Sequence, residues 1–354
     1  MISAPRSWAG VTPAWLTQAL SLRCPGAVVA KVSLDEVEDG TNSRARIAVT
    51  YEAGSGPPSV FVKREGRIVH RLALLALGAV ATEARLASSG VDLPLEHPRP
   101  YAAGVDASRL AAIVVMDDVA NASGRPNGAT KALSVEEVRD GLAGLASLHA
   151  AFWGRPLPEG LQFLRPWKLG RIWAPVSAAS LARGLRRLKD VATDVRAPAG
   201  VDARRLERQF RASASLALTG PQTVLHGDPH PGNTYALPGG RTGFYDWQLV
   251  RTGNWSHDVG YFLAGSLSVS DRRRFERELL DGYLDSLSSL GVAAPGADDA
   301  WDQYRATPAF GLGTWMHTFS AGSFQPEDVC LATIERFATA YADLDTGHSA
   351  VSGN

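Results

Sequence analysis

Two hydrophobic rhythms divide the chain. Up to about residue 117, short runs rich in β-branched residues read as strands: Val28 to Val37, Ser43 to Tyr51, Ser59 to Lys63 and Arg109 to Met116. Within Ser59-Val-Phe-Val-Lys63 the alternation puts Phe61 and Lys63 on one face and Val60 and Val62 on the other. Two helices accompany these strands. One is Trp8 to Leu20, with Thr12 as N-cap and Pro13 at the first position; the other runs from about Arg71 to Ser89. A loop rich in proline (Pro94, Pro98, Pro100) precedes the last strand, and the Gly/Asn/Pro-bearing stretch Asn121 to Lys131 marks a boundary. Beyond it the period becomes helical. Ser134-Val-Glu-Glu137 is a capping box, and Val135, Val138, Leu142, Leu145 and Leu148 share one face of the helix it opens. Further helices are expected at Ser177 to Val191, Val201 to Leu216, from Val259, at Asp271 to Leu287, at Asp298 to Arg305 and at Glu327 to Asp343. The pattern predicts an α+β, bilobal chain. Residues 1–117 form a small β-rich lobe, 118–346 a larger, mostly helical one, and 347–354 a disordered tail.

One stretch breaks the helical rhythm. Val224-Leu-His-Gly-Asp-Pro-His-Pro-Gly-Asn-Thr-Tyr235 and Thr242-Gly-Phe-Tyr-Asp-Trp-Gln248 each read as a short apolar strand that delivers polar residues at its end. Leu237-Pro-Gly-Gly240 is a turn signal expected to fold the two into a hairpin. Asp228, Asn233 and Asp246 then meet at one edge. Carboxylate and amide oxygens without a neighbouring cysteine suit a hard cation such as Mg²⁺. In the other lobe, the small polar turn Asp39-Gly-Thr-Asn-Ser43 can bring the backbone N–H groups of Gly40, Thr41, Asn42 and Ser43 to an anion.

Composition narrows the setting. The 354 residues carry 36 basic and 36 acidic side chains, which argues against a broad nucleic-acid or anionic-membrane surface. Cys24 and Cys330 are the only cysteines and lie far apart, so neither a disulfide framework nor a zinc site is expected. The first ten residues lack the apolar core of a signal peptide, and the longest apolar run, Leu72 to Ala81, is half a membrane span. A cytoplasmic protein is the expectation. The oligomeric state is left open.

The order of these features resembles the aminoglycoside phosphotransferase and choline kinase-like superfamily, nearest its ecdysteroid-kinase-like branch. The residues that carry the likeness are His226-Gly-Asp-Pro-His-Pro-Gly-Asn233, Tyr245-Asp-Trp-Gln248, His257-Asp-Val-Gly-Tyr-Phe262 and Leu148-His-Ala-Ala-Phe-Trp153, spread over roughly Asp39 to Asp343. The resemblance implies a protein-kinase-like fold that uses ATP and Mg²⁺ to phosphorylate a hydroxyl of a small molecule. It implies that Asp228 accepts the hydroxyl proton and that Asn233 and Asp246 hold the metal. It implies further that Lys63 meets the α/β-phosphates with Glu83 as its partner, and that Met116, Asp117 and Asp118 form the hinge against adenine. His230 is expected near the transferred phosphate, and Asp258 as a brace of the catalytic loop. Asp228 is taken as an ordinary aspartate of pKa about 3.9. No Gly-x-Gly-x-x-Gly loop is present and Tyr245-Asp-Trp247 replaces Asp-Phe-Gly, which disfavours a protein kinase. An apolar or amphipathic alcohol is the expected acceptor, set against Trp301, Tyr304, Phe310, Trp315, Phe319 or Phe324. The alternatives are an aminoglycoside or choline-type kinase and a catalytically inactive nucleotide-binding regulatory module.

Overall fold

The computed structural model describes residues 2–39, 42–168, 174–191 and 194–346. Gly40, Thr41 and the tail expected at 347–354 lie outside the described residues. The first lobe begins with helix α1 (Pro13–Leu20) and strands β1 (Val28–Asp39), β2 (Asn42–Ala53) and β3 (Ser59–Glu65). Helices α2 (Ile68–Ala76) and α3 (Thr82–Ala87) follow, then β4 (Pro100–Asp106) and β5 (Ala111–Asp117). The five strands form one antiparallel sheet in the order β1-β2-β3-β5-β4. Its alternation sorts side chains as the pattern predicts. Val60 and Val62 are fully buried with Ile47, Ile113 and Val115 beneath Trp15, Leu16 and Leu20 of α1. Phe61 packs on the opposite face, against Ala84 of α3 and Met116.

Three sequence expectations change here. The helix read from Trp8 is a short 3-10 turn (Trp8–Gly10) followed by α1, where Thr12 caps Trp15 and Pro13 occupies the first turn. The helix read over Arg71 to Ser89 is two helices. Gly78 closes α2 at φ +70, with Ala79 N–H donating to Leu74 O at 2.7 Å and Gly78 N–H to Leu75 O at 3.0 Å. That pair of bonds is a Schellman stop, which a glycine takes without a Cβ penalty. The proline-rich loop contains β4, which tolerates Pro100 because it is the edge strand and Pro100 begins it.

The second lobe carries a two-residue strand β6 (Arg125–Pro126), then helices α4 (Val135–Phe152), α5 (Ala174–Val191) and α6 (Ala203–Leu216). Short strands β7 (Thr223–Leu225), β8 (Thr234–Leu237), β9 (Arg241–Phe244) and β10 (Arg251–Gly253) come next. Helices α7 (Ser256–Ser266), α8 (Val269–Ser289), α9 (Ala297–Arg305), α10 (Pro308–Ala321) and α11 (Glu327–Asp343) complete it. Ser134 and Glu137 form the capping box of α4, and Val138, Leu142, Leu145 and Leu148 face the main core. The turn at Leu237 to Gly240 does form a hairpin, but between β8 and β9. Strand β7, which carries Asp228 at its end, pairs with β10 instead. A three-residue strand has no readable periodicity, so β10 leaves no mark in the sequence. No helix among the described residues is long and apolar enough to cross a membrane.

Candidate active site

Lys63 leaves β3 toward the second lobe and its ammonium lies between two carboxylates. Its Nζ is 2.7 Å from Glu83 Oε2 and 2.5 Å from Asp246 Oδ1. Glu83 stands in the first turn of α3, and its other oxygen accepts the Trp247 N–H at 3.1 Å. One glutamate therefore ties the lysine and the Asp246 segment together across the lobes. Burial alone would lower the Lys63 pKa, but Asp246 and Glu83 hold it above the ordinary lysine value. Burial would raise Asp246, yet the ammonium keeps it below the usual carboxylate range, whereas Glu83 is pushed up by burial. Asp246 sits in the left-handed region at φ +65, directly after β9. Aspartate tolerates that conformation better than most residues, and such backbone is common at functional sites.

The loop after β7 is held from below. Asp258, in the first turn of α7, accepts His226 N–H at 2.6 Å and Gly227 N–H at 2.9 Å. The His226 ring closes the other side: Nδ1 accepts Asp228 N–H at 3.3 Å and Nε2 donates to Tyr245 O at 3.1 Å. Helix α7 starts at Ser256 rather than at Val259, which brings Asp258 onto the helix that braces the loop. Asn233 Nδ2 donates to Asp228 O at 3.0 Å and to Asp228 Oδ2 at 3.3 Å. Asp228 departs from the ordinary aspartate expected. Burial, and then the neighbouring Asp246 charge, raise its pKa to about 7, against the opposing pull of Tyr261 and Arg251. Near neutrality it is a much better proton acceptor than a solvated carboxylate. His230 is buried, and desolvation lowers its pKa to about 4. Its Nδ1 accepts Gly232 N–H at 3.1 Å and its Nε2 lies 3.8 Å from Asp228 Oδ2, so the neutral ring turns its N–H toward the aspartate. Trp315 supports it edge-on at 5.2 Å.

The residues expected around a nucleotide fall into two groups. Asn42 reaches the site, its Nδ2 donating to Gln248 Oε1 at 2.6 Å. Ser43 is buried and its hydroxyl accepts from the Trp8 indole at 3.1 Å. Met116 packs into the sheet beside Ala84. Asp117 N–H donates to Arg99 O at 3.0 Å and its carboxylate accepts the Arg99 N–H at 3.2 Å, so the backbone donor expected at a hinge is already paired. The Asp118 side chain is occupied elsewhere: it accepts from Ser59 at 2.5 Å, from Arg46 at 2.6 Å and from Ala120 N–H at 3.0 Å.

A cavity of about 520 Å³ opens beside Asp228. Its walls come from Phe163 to Lys168, the Gln248 to Arg251 segment, Tyr261 of α7, Phe310 and Thr314 of α10, and the end of α2. Of the aromatic residues named from the sequence, Phe310 lines it, while Tyr304 and Phe319 are fully buried core. Trp167, Arg251 and Tyr261 were missed as site residues. Arg251 and Tyr261 stand within 25 residues of Asp246 on short elements, but only the β7–β10 pairing and the α7 start aim them inward.

The donor set fits a magnesium ion held partly by phosphate. The Asn233 amide nitrogen is spent on Asp228, which leaves its Oδ1 available to a cation, and the Asp246 carboxylate would be the second protein donor. Among the described residues no three His, Cys, Asp or Glu side chains converge as a self-sufficient metal site. Magnesium commonly binds through one or two protein oxygens plus substrate phosphates.

A five-stranded antiparallel lobe joined by a Lys–Glu–Asp contact to a helical lobe is the architecture of the kinase-like phosphotransferases. The chain belongs to the phosphotransferase enzyme family (APH), whose profile matches residues 36–306. Choline kinase from Cryptosporidium parvum Iowa II is similar in fold, with 11% identity, 89% of each chain covered and a TM-score of 0.51. Plasmodium vivax ethanolamine kinase is also similar, with 11% identity, 89% of this chain and 81% of that chain covered, and a TM-score of 0.50. Choline kinase LicA from Streptococcus pneumoniae shares 14% identity over 94% of this chain and 98% of its own, with a TM-score of 0.49. No curated protein sequence matches the chain significantly.

Proposed function

We propose that this protein transfers the γ-phosphate of Mg·ATP to a hydroxyl group of a small molecule. The observation that carries this reading is the Lys63 ammonium clasped by Glu83 and Asp246, with Asp228 beside them at the mouth of a cavity. In the reaction the acceptor oxygen bonds to the γ-phosphorus as the bond to the ADP oxygen breaks, and the hydroxyl proton passes to Asp228. Phosphoryl transfer leaves little covalent work to the protein, so positioning and charge neutralisation dominate. Lys63 neutralises the α/β-phosphates, Glu83 keeps it aimed, and Asn42 stands beside them at the start of β2. Asn233 Oδ1 and Asp246 would hold the magnesium, which when bound would supply charge neutralisation on the phosphates. Met116 and the Asp117 carbonyl face the adenine, with the boundary between lobes at 117/118. Asp258 and His226 keep the loop in shape.

The aromatic side chains on the cavity wall favour an acceptor with an apolar or amphipathic body. Choline or an aminoglycoside would require acidic side chains around the cationic group, and Asp228 is the only carboxylate on that wall among the described residues. Conversion of Asp228 or Asp246 to Ala tests the assignment. Acceptor-dependent ADP release should fall at least about a hundredfold, more than ~2.7 kcal/mol of barrier, with the circular dichroism unchanged. Wild-type turnover by either variant would remove it.

A further inference from the structure

We infer that the acceptor carries an oxyanion, a carboxylate or a phosphate-type group, read by Arg251. This deepens the phosphotransferase reading and rests on it. Four basic side chains line the cavity, Arg85, Arg165, Lys168 and Arg251, against the single acid Asp228. Among the described residues no carboxylate comes within ion-pair distance of any of the four; Arg85, Arg165 and Lys168 are exposed, whereas Arg251 is half-buried. Arg251 is the innermost. It leaves β10 into the pocket with its guanidinium 5.5 Å from the Trp167 ring and 5.7 Å from the Phe310 ring. One terminal nitrogen donates to Gly227 O at 3.3 Å, which fixes the fork against the catalytic loop, and its buried Nε has no partner.

A half-buried guanidinium with no carboxylate in ion-pair distance is costly unless a ligand supplies the counter-charge. Guanidinium forks match carboxylate and phosphate oxygens in geometry and bind them through charge-assisted hydrogen bonds. The aromatic walls would take the apolar body of the same ligand and exclude water around the pair. A cationic amine in this pocket would face four like charges. The acceptor is thus an anionic hydroxy compound with an apolar or aromatic skeleton.

The test uses the full chain with Mg·ADP and four matched ligands built on one hydroxymethyl-benzene skeleton. The para substituent is a carboxylate, a phosphonate, a carboxamide or an aminomethyl group. Calorimetric titration should show at least one anion binding about tenfold or more tighter than the carboxamide, and the amine weakest. The two anionic arms tell which oxyanion is preferred. Arg251→Gln should collapse that anion preference. Arg165→Gln with Lys168→Gln, in the outer wall, should reduce it and guards against a folding defect at Arg251. The inference is overturned if the amine binds as well as the anions, if none of the four binds at millimolar concentration, or if Arg251→Gln weakens every ligand equally. ADP release with Mg·ATP is followed in parallel. Anion-selective binding without transfer would sink the phosphotransferase reading alone, and transfer without anion selectivity would sink this one alone.

Discussion

The Asp258 carboxylate grips the backbone of Gly227, Oδ1 to N–H at 2.9 Å, while its second oxygen takes the neighbouring N–H at 2.6 Å. The chain thereby anchors Asp228 to a helix rather than to its own strand, which is only three residues long. Asp258 is almost wholly buried, and removal of its carboxylate would strand both donors. Each stranded donor costs about 1–3 kcal/mol. Asp258→Ala should therefore lose roughly 3 kcal/mol or more by urea unfolding, with kcat reduced further than KM. An unchanged urea midpoint would show that the brace contributes nothing.

Gly227 and Gly239 offer a matched pair. Both have positive φ, +89 and +82. A Cβ on Gly227 would lie 2.1 Å from Leu249 O, whereas one on Gly239 would meet nothing within 4 Å. Gly239→Ala should cost about 1–2 kcal/mol, the left-handed penalty alone. Gly227→Ala adds a backbone clash that only movement of the catalytic loop or of the Leu249 segment relieves, so it should cost more and abolish turnover. Equal destabilisation by the two, measured by thermal unfolding, would contradict the packing argument.

What the sequence made legible follows from how local each signal is. The capping box at Ser134, the cap at Thr12, the turn before Gly240 and the bounds of α11 all rest on contacts within a few residues, and all appear in the structure. Asp228 and Asn233 were readable from their five-residue separation within one motif with Asp246 after the following strand, and Lys63 and Glu83 only from their order before it. The positions that escaped depend on distant partners. Strand β10 exists because Thr223 to Leu225 needs a neighbour, and Arg251 points into the cavity because of that pairing. The Asp228 shift arises from burial and the Asp246 charge, neither of which a spacing encodes. The single long helix around Glu83 failed for the opposite reason: Gly78 was a local stop signal, read through because the apolar period continued past it.

The three charges of the Lys63 cluster should behave as a unit. Lys63→Met would leave buried Glu83 and half-buried Asp246 without their shared cation. Glu83→Gln would free Lys63 to lean wholly on Asp246 and would weaken the tie to Trp247 N–H. Each variant is expected to reduce ATP-dependent turnover by about a hundredfold. The double variant should lose much less than the product of the two, a coupling of about 1–3 kcal/mol. Strict additivity in a double-mutant cycle would deny that the glutamate works through the lysine.

Acid sensitivity is expected from a buried imidazole set apart from Asn233 and Asp246. His257 sits in α7 against Phe310, ring centroids 4.6 Å apart, and its Nε2 donates to Ser213 O at 2.9 Å. Burial, and next the facing Arg251, lower its pKa to about 4, while Asp258 and the Ser213 carbonyl pull weakly the other way. The folded pKa lies below the unfolded value of about 6.5, so between those values the unfolded chain binds the extra proton. Stability is therefore complete above about pH 6.5, is lost as pH falls toward 4, and loses no more from this group below that. Buried His230 and half-buried His317, each lowered to about 4 mainly by desolvation, add to the loss in the same window. In His257→Gln the amide nitrogen can still reach Ser213 O while the titration disappears. Wild type and variant are compared at each pH by urea unfolding, which cancels the titration of the carboxylates. The wild type should lose on the order of 2–3 kcal/mol more than the variant between pH 6.5 and pH 4. Parallel curves across that window would mean that His257 carries its proton in the folded protein as readily as in the unfolded chain.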